Sequence, residues 1–220
     1  TLDGFLFWAE KLEEGRAAIM GSGVNISLPE GNTVIDIGGG STDIAILSLN
    51  EIVASTSIRV ASNKFDEDIV KYVKRKFNLL IGDKTAENIK KEIGTAMELP
   101  LNENISTEIK GRDLVTGIPK TIEITSNQIH EAIKDSIGEI LLALKEVLEK
   151  CPPELSADIL DNGIILTGGG SLIRNLDKLI EEEVKIPINR ATNSLESVVL
   201  GGGLAFDNKN LLRTLEMREM

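Results

Sequence analysis

The chain has 220 residues, 41% hydrophobic and 27% charged, enough for one large globular domain or two small ones with a sizeable core. A formal net charge of −11 argues against non-specific adhesion to nucleic acid or anionic lipid, and an aromatic share of 3% leaves the core to Ile, Leu and Val and argues against base stacking. The single cysteine, Cys151, excludes an internal disulfide and favours a reducing compartment; with no run of 18 uncharged apolar residues and no basic start before an apolar segment, neither a membrane span nor a secretion signal is expected.

The opening stretch "FLFWAEKLEEGRAAIMGSGVNI" is predicted as two short helical pieces broken around Gly15. Phe5, Phe7 and Trp8 crowd near its start, either packed in a terminal element or forming a contact surface. Three β segments follow, over 34–37, 43–49 and 52–60, joined by a glycine turn and by "LNE". Their β-branched residues and short connections predict a meander. "KFDEDIVKYVKRKF" spaces Phe65, Ile69, Val70, Val73 and Phe77 by three and four, an amphipathic helix lying on the sheet. "TAENIKKEIGTAM" reads as a second helix with a densely charged side. "ISTEIKGRDLVTGIPKTIEIT" alternates on both sides of a Gly/Pro connection, as a pair of strands does.

Thr125 and Gln128 form a capping-box signal, after which Ile129, Ile133, Ile137, Leu141, Leu144 and Leu148 line a long helix that "CPPEL" ends. "GIILTGGGSLIRNLDKLIEEE" is a strand, a triple glycine and an immediate helix. "IPINRATNSLESVVLGGGLAF" is a short strand, a loop and a final helix. The organisation is an α/β domain interrupted by a smaller insertion, since no linker rich in Gly, Ser or Pro separates two units.

Two glycine turns carry the chemistry. Consecutive N–H groups in "GGGST", 38–42, can converge on a phosphate oxygen, with Ser41 and Thr42 adding hydroxyl donors. A tight β-turn with local hydrogen bonds is the other reading. Asp36 on the incoming strand repels a phosphate and would help only through Mg²⁺, usually across a water. In "LTGGGSLI" the glycines end a strand where a helix begins, either a ligand-binding position or a means of close helix–strand packing. Neither turn fits GxxxxGK[ST] or an opening GxGxxG. The sole histidine, His130, sits beside an apolar helix stripe and is assigned a structural role.

The set "VIDIGGGSTDIAIL", "GDKTAENIKKEIG", "CPPEL" and "IILTGGGSLIRNLDKL", in that order over residues 13–206, resembles the MreB family of bacterial actin homologues, within the actin, Hsp70 and sugar kinase superfamily. The resemblance implies an actin-like ATPase (ribonuclease H-like) α/β fold with an inserted small α+β subdomain. It matches the C-terminal half of the family: 1–31 as a junction from domain I, 32–78 and 121–220 as subdomain IIA, and 79–120 as subdomain IIB.

By the same resemblance Asp36 is the metal-proximal carboxylate, through water, and Gly38, Gly39, Gly40, Ser41 and Thr42 hold the β- and γ-phosphates of ATP with Mg²⁺. Glu87 is the ribose contact, with Lys90 and Lys91 on the nucleoside side, although a solvated charge network on one helix face would look the same. Gly168, Gly169, Gly170 and Ser171 match the adenosine-side turn, and Glu14 matches the residue that positions the attacking water. The family has proline after that glutamate; Gly15 stands there here, which loosens the helix start and implies slower hydrolysis. "VVLGGGLAF" matches a closing helix used for packing.

The family's first phosphate loop, Asp-x-Gly-Thr, is not in this chain, so the chain alone is expected to bind nucleotide weakly and hydrolyse it little. For the whole protein the resemblance implies a slow ATPase in the cytoplasm, stacking head to tail into paired protofilaments. These lie along the inner membrane face with cell-shape membrane proteins and organise wall synthesis; nucleic acid is not a partner. Two alternatives are a nucleotide-gated binding module of the Hsp70 or FtsA type, and a sugar or acetate kinase. "GDKTAENIKKEIG" with its modest hairpin favours the filament protein, and no convincing general base supports the kinase.

Overall fold

In a computed structural model, residues 14–192 are described together with Ser194, Gly201 and Gly203. The expected meander is present as β1 (Asn32–Ile37), β2 (Thr42–Ser48) and β3 (Glu51–Ile58), with β2 antiparallel to both β1 and β3. β7 (Ile164–Thr167) and β8 (Ile188–Arg190) extend this sheet in parallel on the other side of β1, in the order β3-β2-β1-β7-β8.

β1 is buried along its whole length because both faces of the sheet are covered. Ile35, Ile37, Ile44 and Ile46 point into the larger core, with α2 (Ser62–Phe77), α4 (Ser126–Glu149) and α6 (Leu176–Val184). Val34, Ala45 and Leu47 point the other way, where Ile19 of α1 (Glu14–Gly21) joins them. The first of the two expected N-terminal helical pieces, with Phe5, Phe7 and Trp8, lies outside the described residues. Gly201, from the third triple glycine, is helical and buried; a Cβ there would run into the Ala17 carbonyl, so the glycine permits a helix-to-helix approach.

The capping box holds: Thr125 N–H donates to Gln128 Oε1 at 2.9 Å and Gln128 N–H to Thr125 Oγ1 at 3.4 Å. The buried stripe of α4 holds Ile129, Ile133, Ile137 and Leu144 as expected and takes Ile140 and Val147 in place of Leu141 and Leu148, which are only partly buried. Four-residue steps drift by about 40° each around a 3.6-residue helix, so a three-residue step restores the contact.

Three elements differ from expectation. "CPPEL" ends α4 but also starts α5 (Pro153–Asn162), with Pro153 in the first turn, where its missing N–H costs nothing. α3 (Asp83–Ile93) stops at Gly94, not Met97, because Thr95 forms a parallel bridge with Arg174 and Ala96 N–H donates to Arg174 O at 2.8 Å. The second triple glycine itself enters a 3₁₀ turn, Gly169–Leu172, before α6, so the α-helix does not begin immediately.

The hairpin β5 (Ser106–Asp113) and β6 (Pro119–Thr125) gains a third strand, β4 (Leu79–Leu80), which two residues could not announce by periodicity. At its tip Asp113 accepts from the N–H groups of Thr116 (2.9 Å) and Val115 (2.8 Å) and from Lys120 Nζ (3.1 Å). The Thr116 N–H, Lys120 and the Val115 N–H hold its carboxyl down to about 2, from 3.8. A depressed carboxyl stabilises the fold above its unfolded value and loses that contribution as the pH falls through the folded one. The amide proton shifts of Val115 and Thr116 are therefore expected to titrate with a midpoint near pH 2; a midpoint near 4 would dissolve this local clamp.

Candidate functional site

The register brings both glycine turns to one end of the sheet. Asp36, near the end of β1, is opposite Asp43 of β2 on one side and Thr167 of β7 on the other. The turn leaving β1 and the turn leaving β7 are therefore neighbours, as the parallel pairing of the two strands requires.

The first turn is closed by Gly38 N–H donating to Ser41 O at 2.9 Å. Its carbonyls are held from outside by α2: Ser62 N–H donates to Gly38 O (3.2 Å) and Asn63 N–H to Gly39 O (2.9 Å). Among the described residues the amides of Gly39, Gly40 and Ser41 have no backbone acceptor, and Gly39 and Gly40 are exposed. Free amides in a glycine turn can donate to an anionic ligand. The hydroxyls are differently placed: Thr42 Oγ1 is buried and donates to Val60 O at 2.6 Å, and Ser41 Oγ donates to Asp43 Oδ2 at 3.0 Å.

The second turn lies against the end of β1. Gly168 has φ 84° and ψ 160°, and a Cβ there would run into Ile37 O and Asp36 Oδ1. Ser171 is buried, its Oγ donating to Gly168 O at 2.6 Å. These two residues build the turn, while Gly169 and Gly170 face the space beside it.

Across that space stands α3. The fully bracketed Glu87 receives Lys84 Nζ at 2.8 Å and Lys91 Nζ, and the two lysines, Lys84 foremost, hold its carboxyl down to about 2. Lys90 is 6% exposed; its Nζ lies 2.7 Å from Ser62 Oγ, 2.8 Å from Ser62 O and 2.8 Å from Asp66 Oδ1. Burial raises the Asp66 carboxyl above its ordinary value despite the opposing effect of Lys90.

The cleft enclosed by these pieces is about 540 Å³, ample for a mononucleotide-sized ligand. Of the residues singled out in the sequence, it brings together Gly38, Gly39, Glu87, Lys90, Lys91, Gly169 and Gly170. Asp36, Gly40, Ser41, Thr42, Gly168 and Ser171 are not in its wall, although all belong to or abut the two turns. The side chain of Glu14, the first residue of α1, lies outside what is described.

The cleft also contains residues that the sequence reading passed over. Ser62 and Asn63 lie just ahead of the apolar stripe of α2, and their only sequence signal is that position at a helix start. Leu172, 54% exposed, supplies an apolar wall. Arg174 Nη2 donates to Ser126 Oγ at 3.2 Å, whereas its buried Nε has no hydrogen-bond partner among the described residues. Of the charged residues in the wall, Lys90 is ion-paired to Asp66, and Lys91 and Arg174 stand against Glu87 and Glu92. The exposed amides of the first turn suit an anionic ligand.

No group of three or more His, Cys, Asp or Glu that could hold a metal occurs among the described residues. Mg²⁺ does not require one, since it keeps several waters and takes its remaining ligands from one or two carboxylates and a phosphate. Asp36 and Asp43, opposed across the strands beneath the phosphate-sized turn, are a donor set of that kind. His130 is outside the cleft wall; burial lowers its imidazole, and its buried Nδ1 has no partner among the described residues.

A family model described as MreB/Mbl protein matches residues 9–214. The cell shape-determining protein Mbl of Bacillus subtilis (strain 168) is 48% identical over 200 residues, 91% of this chain and 60% of that protein. The cell shape-determining protein MreB of Escherichia coli (strain K12) is 45% identical over 196 residues, 89% of this chain and 56% of that protein. The crystal structure of MreB5 of Spiroplasma citri bound to ADP superposes with a TM-score of 0.86 at 43% identity, covering 93% of this chain and 61% of that one. The chain thus spans less than two thirds of the length of each of these relatives.

Proposed function

The chain belongs to the MreB/Mbl family and has its actin-like α/β fold, and from that premise we propose that it is the ATP-binding half of a filament-forming cell-shape protein. The observation that carries this reading is the convergence of three distant segments, Gly38 and Gly39 of the first turn, helix α3 and Gly169 and Gly170 of the second turn, on one cleft. An ADP-bound relative of the same fold supports a nucleotide as the occupant.

In this reading the amides of Gly39, Gly40 and Ser41 receive the β- and γ-phosphates. Ser41 and Thr42 act by closing and anchoring the turn. Glu87, with Lys91, lies on the ribose side; Gly169 and Gly170 accept the adenosine against Leu172, while Gly168 and Ser171 hold that turn in shape. Asp36 holds Mg²⁺ through water, and the ion neutralises phosphate charge when bound. Glu14 at the start of α1 orients the attacking water.

Subdomain IIA then comprises 32–78 and 121–220 and IIB the insertion 79–120, with the pairing of β6 to β5 moving that second boundary to the end of β6 at Thr125. Self-association into protofilaments, attachment at the inner membrane face and cell-shape membrane partners belong to the same proposal. None of the described helices is long and apolar enough to cross a membrane.

Calorimetric titration of the chain with ADP and Mg²⁺, beside Asp36→Ala, tests the site. The expected result is Mg²⁺-dependent binding that Asp36→Ala weakens at least about tenfold, the loss of roughly 1.4 kcal/mol. Absence of binding at millimolar ADP in the unsubstituted chain would overturn the reading.

A further inference from the structure

Lys90 lines the cleft with its stem, but its charged end is turned into the protein. Its ammonium hydrogen-bonds to Ser62 Oγ and Ser62 O and lies in ion-pair contact with Asp66 Oδ1, which has no hydrogen-bond partner among the described residues. With the side chain 6% exposed, the ammonium is presented to these groups and not to the cleft.

Its location is electrostatically adverse for α2. Ser62 is the first residue of that helix, where the exposed N–H groups carry a partial positive charge and a cation is repelled. Ala61, at the N-cap position, contributes no side-chain hydrogen bond either. The amides at this helix start go instead to the glycine turn, Ser62 N–H to Gly38 O and Asn63 N–H to Gly39 O. A buried cation thus grips, by both its hydroxyl and its carbonyl, the residue that holds the first carbonyl of the turn. Asp66, one turn into α2, compensates the charge.

We propose that Lys90 is a positioning residue for the turn at Gly38 and Gly39 and not a ligand of the nucleoside: through Ser62 it orients the carbonyls on one side of the turn, and thereby the amides on the other. This rests on the reading of the cleft as a nucleotide site. It separates Lys90 from its neighbour Lys91, which is exposed and ion-paired to Glu87.

The test compares ADP, pyrophosphate and adenosine on the chain, on Lys90→Met, and on Lys90→Met/Asp66→Asn, which leaves no buried charge and keeps the comparison valid if the single variant does not fold. The expected result is that pyrophosphate and ADP weaken by the same factor, about tenfold for a lost charged hydrogen-bond network. Adenosine should bind unchanged, and the Ser62 and Asn63 amides should exchange hydrogen faster. Weakening of ADP and adenosine with pyrophosphate unaffected would make Lys90 a nucleoside ligand and overturn the inference. If the unsubstituted chain bound neither ADP nor pyrophosphate, the nucleotide reading itself would fall, and the inference with it.

Discussion

Gly168→Ala is expected to lower the stability of the chain by roughly 3–5 kcal/mol, the range for backbone strain combined with a clash in the core. The glycine has φ 84° and ψ 160°, a region essentially closed to residues with a Cβ. The added methyl would also run into the Ile37 carbonyl and the Asp36 carboxylate, at the point where β1 and β7 end side by side. Neither can retreat cheaply: Ile37 is the last residue of the central strand, and Asp36 is buried beneath both turns. For a chain of this size each kcal/mol is worth about 2–4 °C, so the melting temperature should drop by about 6–20 °C. Gly40→Ala is the control, since a Cβ there meets nothing and the change should stay within about 0.5 kcal/mol. Thermal and urea denaturation of the two variants decide it; equal melting would mean that the packing of the second turn on β1 has been misjudged.

Phe65→Ala should be comparably damaging, at about 3–5 kcal/mol for truncating a large buried aromatic side chain. Phe65 is among the largest fully buried side chains and belongs to the main core, between α2 and the sheet. It lies three residues after Ser62, so it also anchors the helix start that grips Gly38 and Gly39. A cavity under that first turn would let it shift, and ADP binding should weaken beyond what the loss of folded protein accounts for. Phe65→Leu, which refills most of the volume, should cost less than half as much. The comparison needs urea titrations and ADP titrations carried out below the unfolding transition. Stability lost with affinity intact would show that the turn does not depend on the packing of α2.

The elements with long-period signals were legible from residues alone. The meander around "IDIGGGSTDIAIL" and the Phe65-to-Phe77 stripe rest on contacts between near neighbours in the chain, as does the Thr125–Gln128 cap. β4 was not legible because two residues acquire strand geometry only by pairing with Asp113 and Arg112. The overrun of α3 has a similar cause: 95–97 have helical composition, but the bridge from Thr95 to Arg174 captures the backbone. α5 was hidden by its prolines, which stop one helix and start the next.

At the site, the residue types and the two glycine turns could be read from spacing, because glycine and β-branched residues constrain the backbone locally. Which side chains face the cleft could not. Thr42 and Ser171 turn their hydroxyls to carbonyls of their own scaffold, Lys90 its ammonium to Ser62 and Asp66, and Arg174 enters from a loop with no pattern of its own. The sequence by itself thus determined the family, the order of the main elements and the two turns, since these follow from local conformation and periodicity. Only the tertiary structure decided where each polar group finds its partner, because a buried donor or charge takes whichever acceptor the packing brings within reach, however far away it lies in the chain.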